Sequence, residues 1–483
     1  MLKLNFTPLK LLAISGLLWI SSIESIQAQT GFNQSQDVSL ENLSFFRNPG
    51  RSWQLVTDVK ADLKKVNALK LEKGTGILVN LPDKKHKGAD LITNLEHGDL
   101  ELELDYLMAK GSNSGIYFQG RYELQLEDSW GNQTVSASNN GGMYERWDDS
   151  QPNGQKGYEG YAPRQNVSRA PGLWQHLKVS FQAPRFDASG KKVENAKMVQ
   201  VDLNGVMIHE DLELLGPTRG TIAIDEKATG PLRFQGDHGA VAFRNLKVTL
   251  LTNKPANNNR EGNVVDPIFV DAPVNTILRS FMQLPDMVPV VHAVSVGSPK
   301  QVHYTYDLDK GAIIQVWRGG FLDATPMWHN RGNGTSRPQG TVQRFGKPVF
   351  TIAKLSSPQT TWATDTTGSS YRPKGYVLDK NDLPTFQYYI FGAKIADAIR
   401  VLENGQGFHR ELTIQQGSGD MYARLAAGSA IEEQGKGMYL IDGKAYYLQL
   451  ENTNGAKPII RAVEGGKELI VPVRDKLSYS VLF

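Results

Sequence analysis

The stretch "YELQLED", residues 122–128, alternates polar and apolar side chains without a break. In an extended chain every second side chain shares a face. Glu123, Gln125 and Glu127 therefore line one surface, while Leu124 and Leu126 turn to a core. Carboxylates held at a fixed separation on a rigid strand can move protons or attack a sugar carbon, and carboxamides beside them can hold hydroxyls. The same alternation also describes a solvated outer face. Asp128 and Ser129 fall where the strand gives way to a turn at Trp130 and Gly131.

A second group lies in "NNGGMYERWDDSQPNGQKGYEGYAPRQN", residues 139–166, where Tyr144, Trp147, Tyr158 and Tyr161 interleave with Glu145, Arg146, Asp148 and Asp149. Aromatic rings offer a sugar an apolar face, and neighbouring polar groups bind its hydroxyls. A loop covering a sheet edge with locally buried aromatics fits the same composition. A third candidate is His238, in "GPLRFQGDHGAVAFRNLKV", residues 230–248. It stands between glycines at a turn between two strand patterns, where an imidazole can accept or donate a proton near neutral pH. Further on, Trp317, Arg318, Asp323, Trp328, His329, Arg331 and Arg337 concentrate in residues 316–340, and this grouping reads better as a structural Arg–Trp cluster than as a binding surface. Phosphate-binding loops of the Gly-Lys-Ser/Thr type, H-E-x-x-H and the G-x-S-x-G elbow are all missing, and the nine histidines are dispersed.

The elements that must carry these residues are strands. "DLELELDYLMA", "LWQHLKVSFQA", "MVQVDLNGVMIHEDL" and "VAFRNLKVTLL" are short apolar runs, many alternating, broken by Gly, Asn, Asp and Pro. Long runs of helical period are missing. From about Phe45 the pattern predicts an all-β chain of antiparallel sheets packed face to face, a sandwich or jelly roll. "TNKPANNNREGNVVDP", residues 252–267, has little to bury and reads as a linker. Strand patterns resume over 268–483 with tight Asp-Gly and Gly-Gly hairpin signals, which predicts a second, sandwich-like β domain.

The 483 residues are 40% hydrophobic and 21% charged, as in an ordinary soluble globular protein. A net charge of +3 with scattered basic residues favours neither nucleic acid nor an anionic membrane surface as partner. The absence of cysteine excludes disulfides, thiolate catalysis and cysteine-ligated zinc. Lys3 and Lys10 precede the apolar run "LLAISGLLWI" and a polar segment ending near Ala28. That order predicts a signal peptide over residues 1–28, cut after Ala28, and a secreted or periplasmic protein with no membrane attachment after cleavage. The apolar run is short for a transmembrane helix.

Five ordered elements, "NSGIYF", "YELQLEDS", "PGLWQHLKV", "VDLNGV" and "GPLRFQGDHGAVAFRNLKV", resemble the 3-keto-disaccharide hydrolase domain, a family long known only as a domain of unknown function. The resemblance spans residues 43–251 and implies a concanavalin-like jelly-roll β-sandwich there, which agrees with the strand pattern. The sequence departs from the family at Glu127, where an aliphatic residue is usual, and in residues 180–198, which look inserted. The C-terminal part resembles a β-rich module of exported bacterial proteins, through "HYTYDLDKGAIIQVWRGGFLDATPMWHNRG" and "GYVLDKNDLPTFQYYIF"; it brings no function with it.

The resemblance implies an enzyme that cleaves glycosides already oxidised to a ketone at C3. The ketone acidifies the C2 hydrogen, a base removes it, and the C1 substituent is expelled; water then rehydrates the product or does not. Such a site needs a base with a pKa near working pH and donors or cations at the developing oxyanion. His238 is expected as the proton-transfer residue or a metal ligand, with Glu123 and Gln125 against the substrate, Asp128 in support, and Tyr144, Arg146, Trp147 and Glu127 binding sugar. The sequence specifies no cofactor; a divalent cation could hold the 2-hydroxyl and 3-keto oxygens. Two alternatives remain open. E-L-Q-L-E resembles the E-x-D-x-E strand of jelly-roll glucanases, which would make Glu123 and Glu127 the pair of a retaining hydrolase. A non-catalytic carbohydrate-binding protein would use the aromatic loop alone.

Overall fold

The computed structural model describes residues 33–255, 265–329 and 332–483. The predicted signal peptide, most of the predicted linker and Arg331 lie outside the described residues. Alternation translates directly into strands. In Leu100–Met108, Leu100, Leu102, Leu104 and Tyr106 are fully buried while Glu101, Glu103 and Asp105 face outward. Burying each such side chain contributes about 1.5–3 kcal/mol. The outward Asp105 is held by Arg244 at 3.1 Å and by His176 at 2.9 Å.

Two antiparallel sheets enclose the first core. The larger runs in the order Val206–Leu214, Ala196–Leu203, Gln175–Gln182, Leu100–Met108, Val241–Leu250, Leu69–Asn80 and Trp53–Ala61. The smaller runs Phe46–Arg47, Leu91–His97, Gly230–Phe234, Asn113–Phe118 and Tyr122–Glu127. Their facing sides supply one cluster that includes Leu102, Leu104, Ile116, Phe118, Leu124, Leu126, Phe181, Phe234 and Phe243. This is the face-to-face sandwich that the strand pattern requires. The segment that looked inserted forms a small hairpin, in which Arg185–Phe186 pairs with Lys192–Glu194. The Asp187 carboxylate closes its turn by accepting from the Ser189 and Lys191 backbone N–H groups.

The C-terminal part is also all β. A seven-stranded sheet around Ala312–Asp323, a four-stranded sheet around Met421–Gly428 and an eight-stranded sheet around Gly407–Gln415 contribute to a second core. At its centre the buried Arg410 guanidinium grips the buried Asp397 carboxylate at 2.6 Å, and the Tyr306 hydroxyl donates to Asp397 at 2.8 Å.

The two cores meet. Ala170 and Leu173 pack with Leu440 and Tyr447, beside Trp130. Across this seam the Trp130 indole N–H donates to the Phe483 carbonyl at 2.9 Å and the Tyr447 hydroxyl to the Pro171 carbonyl at 3.0 Å. Lys444 pairs with Asp58 at 2.6 Å and Lys60 with Glu432 at 2.8 Å. Trp130 immediately follows the Asp128–Ser129 turn, so the C-terminal part helps fix the end of the strand that carries Glu123.

Candidate functional site

Strand register assembles a polar surface on the outer side of the smaller sheet. Glu123 stands directly opposite Tyr117, and Tyr117 opposite Arg233. One step along, Gln125 stands opposite Gly115, whose carbonyl accepts the Gln235 N–H at 2.8 Å. Side chains facing each other across antiparallel strands share a side, so two rows lie next to one another: Glu123, Tyr117, Arg233 and Gln125, Gly115, Gln235. The opposite sides of these strands are filled by Leu124, Ile116 and Phe234 of the core.

This surface is covered rather than solvated. Glu123 is 1% exposed, Gln125 4% and Arg233 6%. The cover comes from two segments. Residues 141–144 zip onto the edge strand, with the Gln125 N–H donating to the Gly142 carbonyl at 2.8 Å and the Tyr144 N–H to the Glu123 carbonyl at 3.0 Å. From the other side, Thr218 accepts the Glu123 N–H at 3.1 Å, and the Arg219 carbonyl accepts the Tyr117 hydroxyl at 3.2 Å.

Gly115 makes room for the acid. A Cβ added there would lie 2.3 Å from Glu123 Oε1, so the carboxyl leans across the glycine between the two glutamines. Glu123 Oε1, Gln125 Oε1 and Gln235 Oε1 are all buried without a hydrogen-bond partner among the described residues. A buried carboxyl is hard to ionise. Burial pushes the Glu123 pKa up to about 8, helped by the negative charges of Asp90 and Asp237 and opposed by the Tyr117 hydroxyl and the Arg233 guanidinium. Burial also holds the Tyr117 phenol un-ionised, far above its usual range. Arg233 is fixed on three sides: stacked 3.6 Å over the Tyr117 ring, 3.2 Å from the Asp90 carboxylate, and donating to the Gly220 carbonyl at 2.7 Å.

His238 lies on the loop that continues from Gly230–Phe234, beyond Gln235 in the same chain direction. No sheet separates that strand from Glu123; Asn113–Phe118 is the one strand between them. The His238 Nδ1 lies 2.5 Å from Asp237 Oδ1, and both side chains are more than half exposed. The flanking glycines have a packing reason. A Cβ on Gly236 would fall 2.0 Å from the Ala89 carbonyl oxygen, so only glycine lets the loop lie this close to residues 88–90. The loop is then pinned by Asn80, whose carboxamide donates to the Gly236 and Gly239 carbonyls at 2.8 and 2.9 Å. The Asp237–His238 pair projects from a fastened base.

The remaining candidates lie further out. The Glu127 carboxylate is taken by the Ser129 hydroxyl and by Asn139 at 2.9 Å, which ties down the 129–140 loop. Asp128 accepts the Gly111 N–H at 2.8 Å and closes a turn; burial raises its pKa. Arg146 pairs with Glu159 at 2.6 Å, and Trp147 donates to Asp149 at 2.9 Å. Arg219 lies 3.7 Å over the Trp147 ring and donates its backbone N–H to the Glu145 carbonyl at 2.8 Å. The Tyr144–Trp147 segment thus sits over the same 218–220 loop that covers Tyr117.

Tyr117, Arg233, Asp90, Gln235 and Asp237 were not singled out from the sequence. A signal existed for three of them: in "RFQGD", residues 233–237, Arg233, Gln235 and Asp237 alternate as Glu123, Gln125 and Glu127 do. Among the described residues no group of three or more His, Asp or Glu side chains is arranged to hold a metal ion.

The chain is a multi-sheet β protein with a covered carboxyl–guanidinium–carboxamide surface on its N-terminal sandwich. The model of the 3-keto-alpha-glucoside-1,2-lyase-like domain matches residues 42–249, the segment that builds both sheets and every residue of this surface. Among curated proteins none matches the chain. Three solved structures of candidate glycosyl hydrolases from Parabacteroides distasonis ATCC 8503 are similar to it. The first is 22% identical, covering 45% of this chain and 84% of that one, with a TM-score of 0.29. The second is 19% identical over 45% and 100%, at 0.30, and the third 19% identical over 41% and 88%, at 0.24. These scores are too low to carry fold or function.

Proposed function

We propose that the N-terminal sandwich is a carbohydrate-active enzyme that cleaves 3-keto-glycosides by elimination, acting outside the cytoplasm after export. The observation that carries this reading is Glu123: a buried carboxyl whose pKa burial pushes up to about 8, with an unpaired oxygen between two unpaired carboxamide oxygens. A carboxylic acid kept neutral at pH 7 is a proton donor for a leaving group. The match of residues 42–249 to the lyase-like domain supports a carbohydrate substrate and is consistent with a 3-keto sugar.

In this mechanism His238, oriented by Asp237, takes the proton from C2 of the keto sugar. The electron pair forms an enolate across C2 and C3. The Arg233 guanidinium and Tyr117 hydroxyl provide positive potential beside it. As the C3 carbonyl re-forms, the pair moves to C1–C2, the C1–O bond breaks, and Glu123 gives its proton to the departing oxygen. Water adding its oxygen to C1 and a proton to C2 would complete a net hydrolysis. Gln125 and Gln235 hold ring hydroxyls, with Tyr144, Arg146 and Trp147 at the rim.

The test is product release from a 3-keto-glucoside and its unoxidised parent, side by side, with and without chelator. Cleavage of the keto form alone is expected. Cleavage of the parent would transfer the case to a Glu123/Glu127 hydrolase, and cleavage of neither would overturn the enzymatic reading. Loss of activity with chelator would add a divalent cation to the site.

A further inference from the structure

Several buried guanidinium groups among the described residues meet a carboxylate or carbonyl oxygens. Arg410 has Asp397, Arg233 has Asp90, and Arg121, beside Asp225, donates to the Asp225 and Gln119 carbonyls. Arg318, in Ala312–Asp323, is 1% exposed and has no carboxylate partner among the described residues. Its Nη1 donates to the Gly405 carbonyl at 2.7 Å, and the Phe483 ring lies 5.6 Å from its guanidinium carbon. Nε and Nη2 have no hydrogen-bond partner among the described residues. Burial alone pushes its pKa down to about 10, and no neighbouring acid opposes the shift.

The geometry of the free atoms is informative. Nε–H and Nη2–H are the two parallel donors on the side edge of a guanidinium, the edge that grips two oxygens of one anion at once. Directly opposite Arg318 in the sheet stands Thr341, 2% exposed, whose hydroxyl is likewise buried and unpaired. A charge left this way in a low-dielectric interior is costly unless a counter-charge meets it. The position also matters: Gly405 belongs to the turn that meets Gly131 across the seam between the two cores.

We propose that Arg318 and Thr341 form an internal binding site for one small oxyanion, held by the Nε/Nη2 fork and the Thr341 hydroxyl. The chemistry shared by its ligands is two oxygens side by side carrying negative charge, as in a carboxylate, sulfate or phosphate. The site is separate from the Glu123 surface and independent of the catalytic reading. Its occupant neutralises the buried arginine and stiffens the turn that faces the seam.

The test is thermal unfolding of the whole protein, freed of polyvalent anions, titrated with acetate, sulfate and inorganic phosphate against chloride at constant ionic strength. A saturable rise in Tm with an oxyanion and none with chloride is expected, and comparing acetate with the tetrahedral anions tells which class fits. Arg318→Met, which removes an unpaired charge, should be at least as stable in anion-poor buffer and should lose the response. Thr341→Val keeps the fork and should need about tenfold more anion for half-saturation, the loss of one hydrogen bond to a charged group. A Tm that ignores oxyanions in the wild type, or an equal response in Thr341→Val and the wild type, would overturn the site. Activity on keto and parent glycosides, measured in parallel, keeps this outcome distinct from failure of the proposed reaction.

Discussion

Replacing Glu123 with glutamine separates the burial of this acid from every other titration in the protein. The carboxyl has an ordinary value of 4.5 and is pushed to about 8 in the fold. The gap, 8 minus 4.5, is about 3.5 units, or about 5 kcal/mol at 1.36 kcal/mol per unit. The sign follows from which state holds the proton. Below pH 4.5 folded and unfolded chains are both protonated and nothing is lost. Between 4.5 and 8 the folded chain keeps a proton that the unfolded chain releases, so stability falls as pH rises, by about 1.4 kcal/mol per unit. Above 8 both are ionised and the loss levels off. Glutamine fills the same place with no charge at any pH. The stability of Glu123→Gln relative to wild type should therefore rise by about 3 kcal/mol from pH 4 to pH 7 and by about 5 kcal/mol at pH 9. Urea denaturation of both proteins at pH 4, 5.5, 7 and 9 measures it. Taking the difference cancels common contributions such as His97 and His303, which burial pushes down to about 4. A difference that stays flat with pH, or falls, would refute the argument that this carboxyl is buried and neutral. The same variant should lose most of its kcat on a 3-keto-glucoside, and the wild type should show an alkaline limb near pH 8.

Other expectations follow from the same geometry. His238→Ala and Asp237→Asn should each lower kcat by about 10²–10⁴-fold with little change in Tm, because both side chains are exposed; single-turnover kinetics and a melting curve check this. Gly115→Ala places a methyl 2.3 Å from Glu123 Oε1 and should displace the acid, costing about 10²-fold in kcat/KM while the sheet stays folded by circular dichroism. Asp397→Ala leaves Arg410 buried without its counter-charge and should cost about 3–5 kcal/mol in urea denaturation, with activity per folded molecule unchanged.

Much of the fold was legible because one periodicity serves both the local chain and the core. "LELELDYLM" and "YELQLE" alternate, and burying every second residue of such a strand requires a second sheet to cover it. The alternation also put Glu123 and Gln125 on one side of a strand and Leu124 and Leu126 on the other, as the structure has them. It could not say whether that polar side meets water. Residues 141–144 and 218–220 come from elsewhere in the chain to cover it, and this cover raises the Glu123 pKa. Nor could spacing along the strand separate Glu123 from Glu127: the first leans over a glycine on the neighbouring strand, and the second is captured by Ser129 and Asn139.

The sequence by itself determined the all-β class, the polar row on Tyr122–Glu127 and the histidine loop at 236–239, since strand period and turn chemistry act over a few residues. Tertiary structure alone decided that Arg233 and Gln235 stand in the rows of Glu123 and Gln125, because cross-strand register joins residues more than 100 positions apart. It also decided that burial raises the Glu123 pKa and that Arg318 has no carboxylate partner among the described residues. Both depend on which groups are excluded from water together, and exclusion is a property of the packed whole.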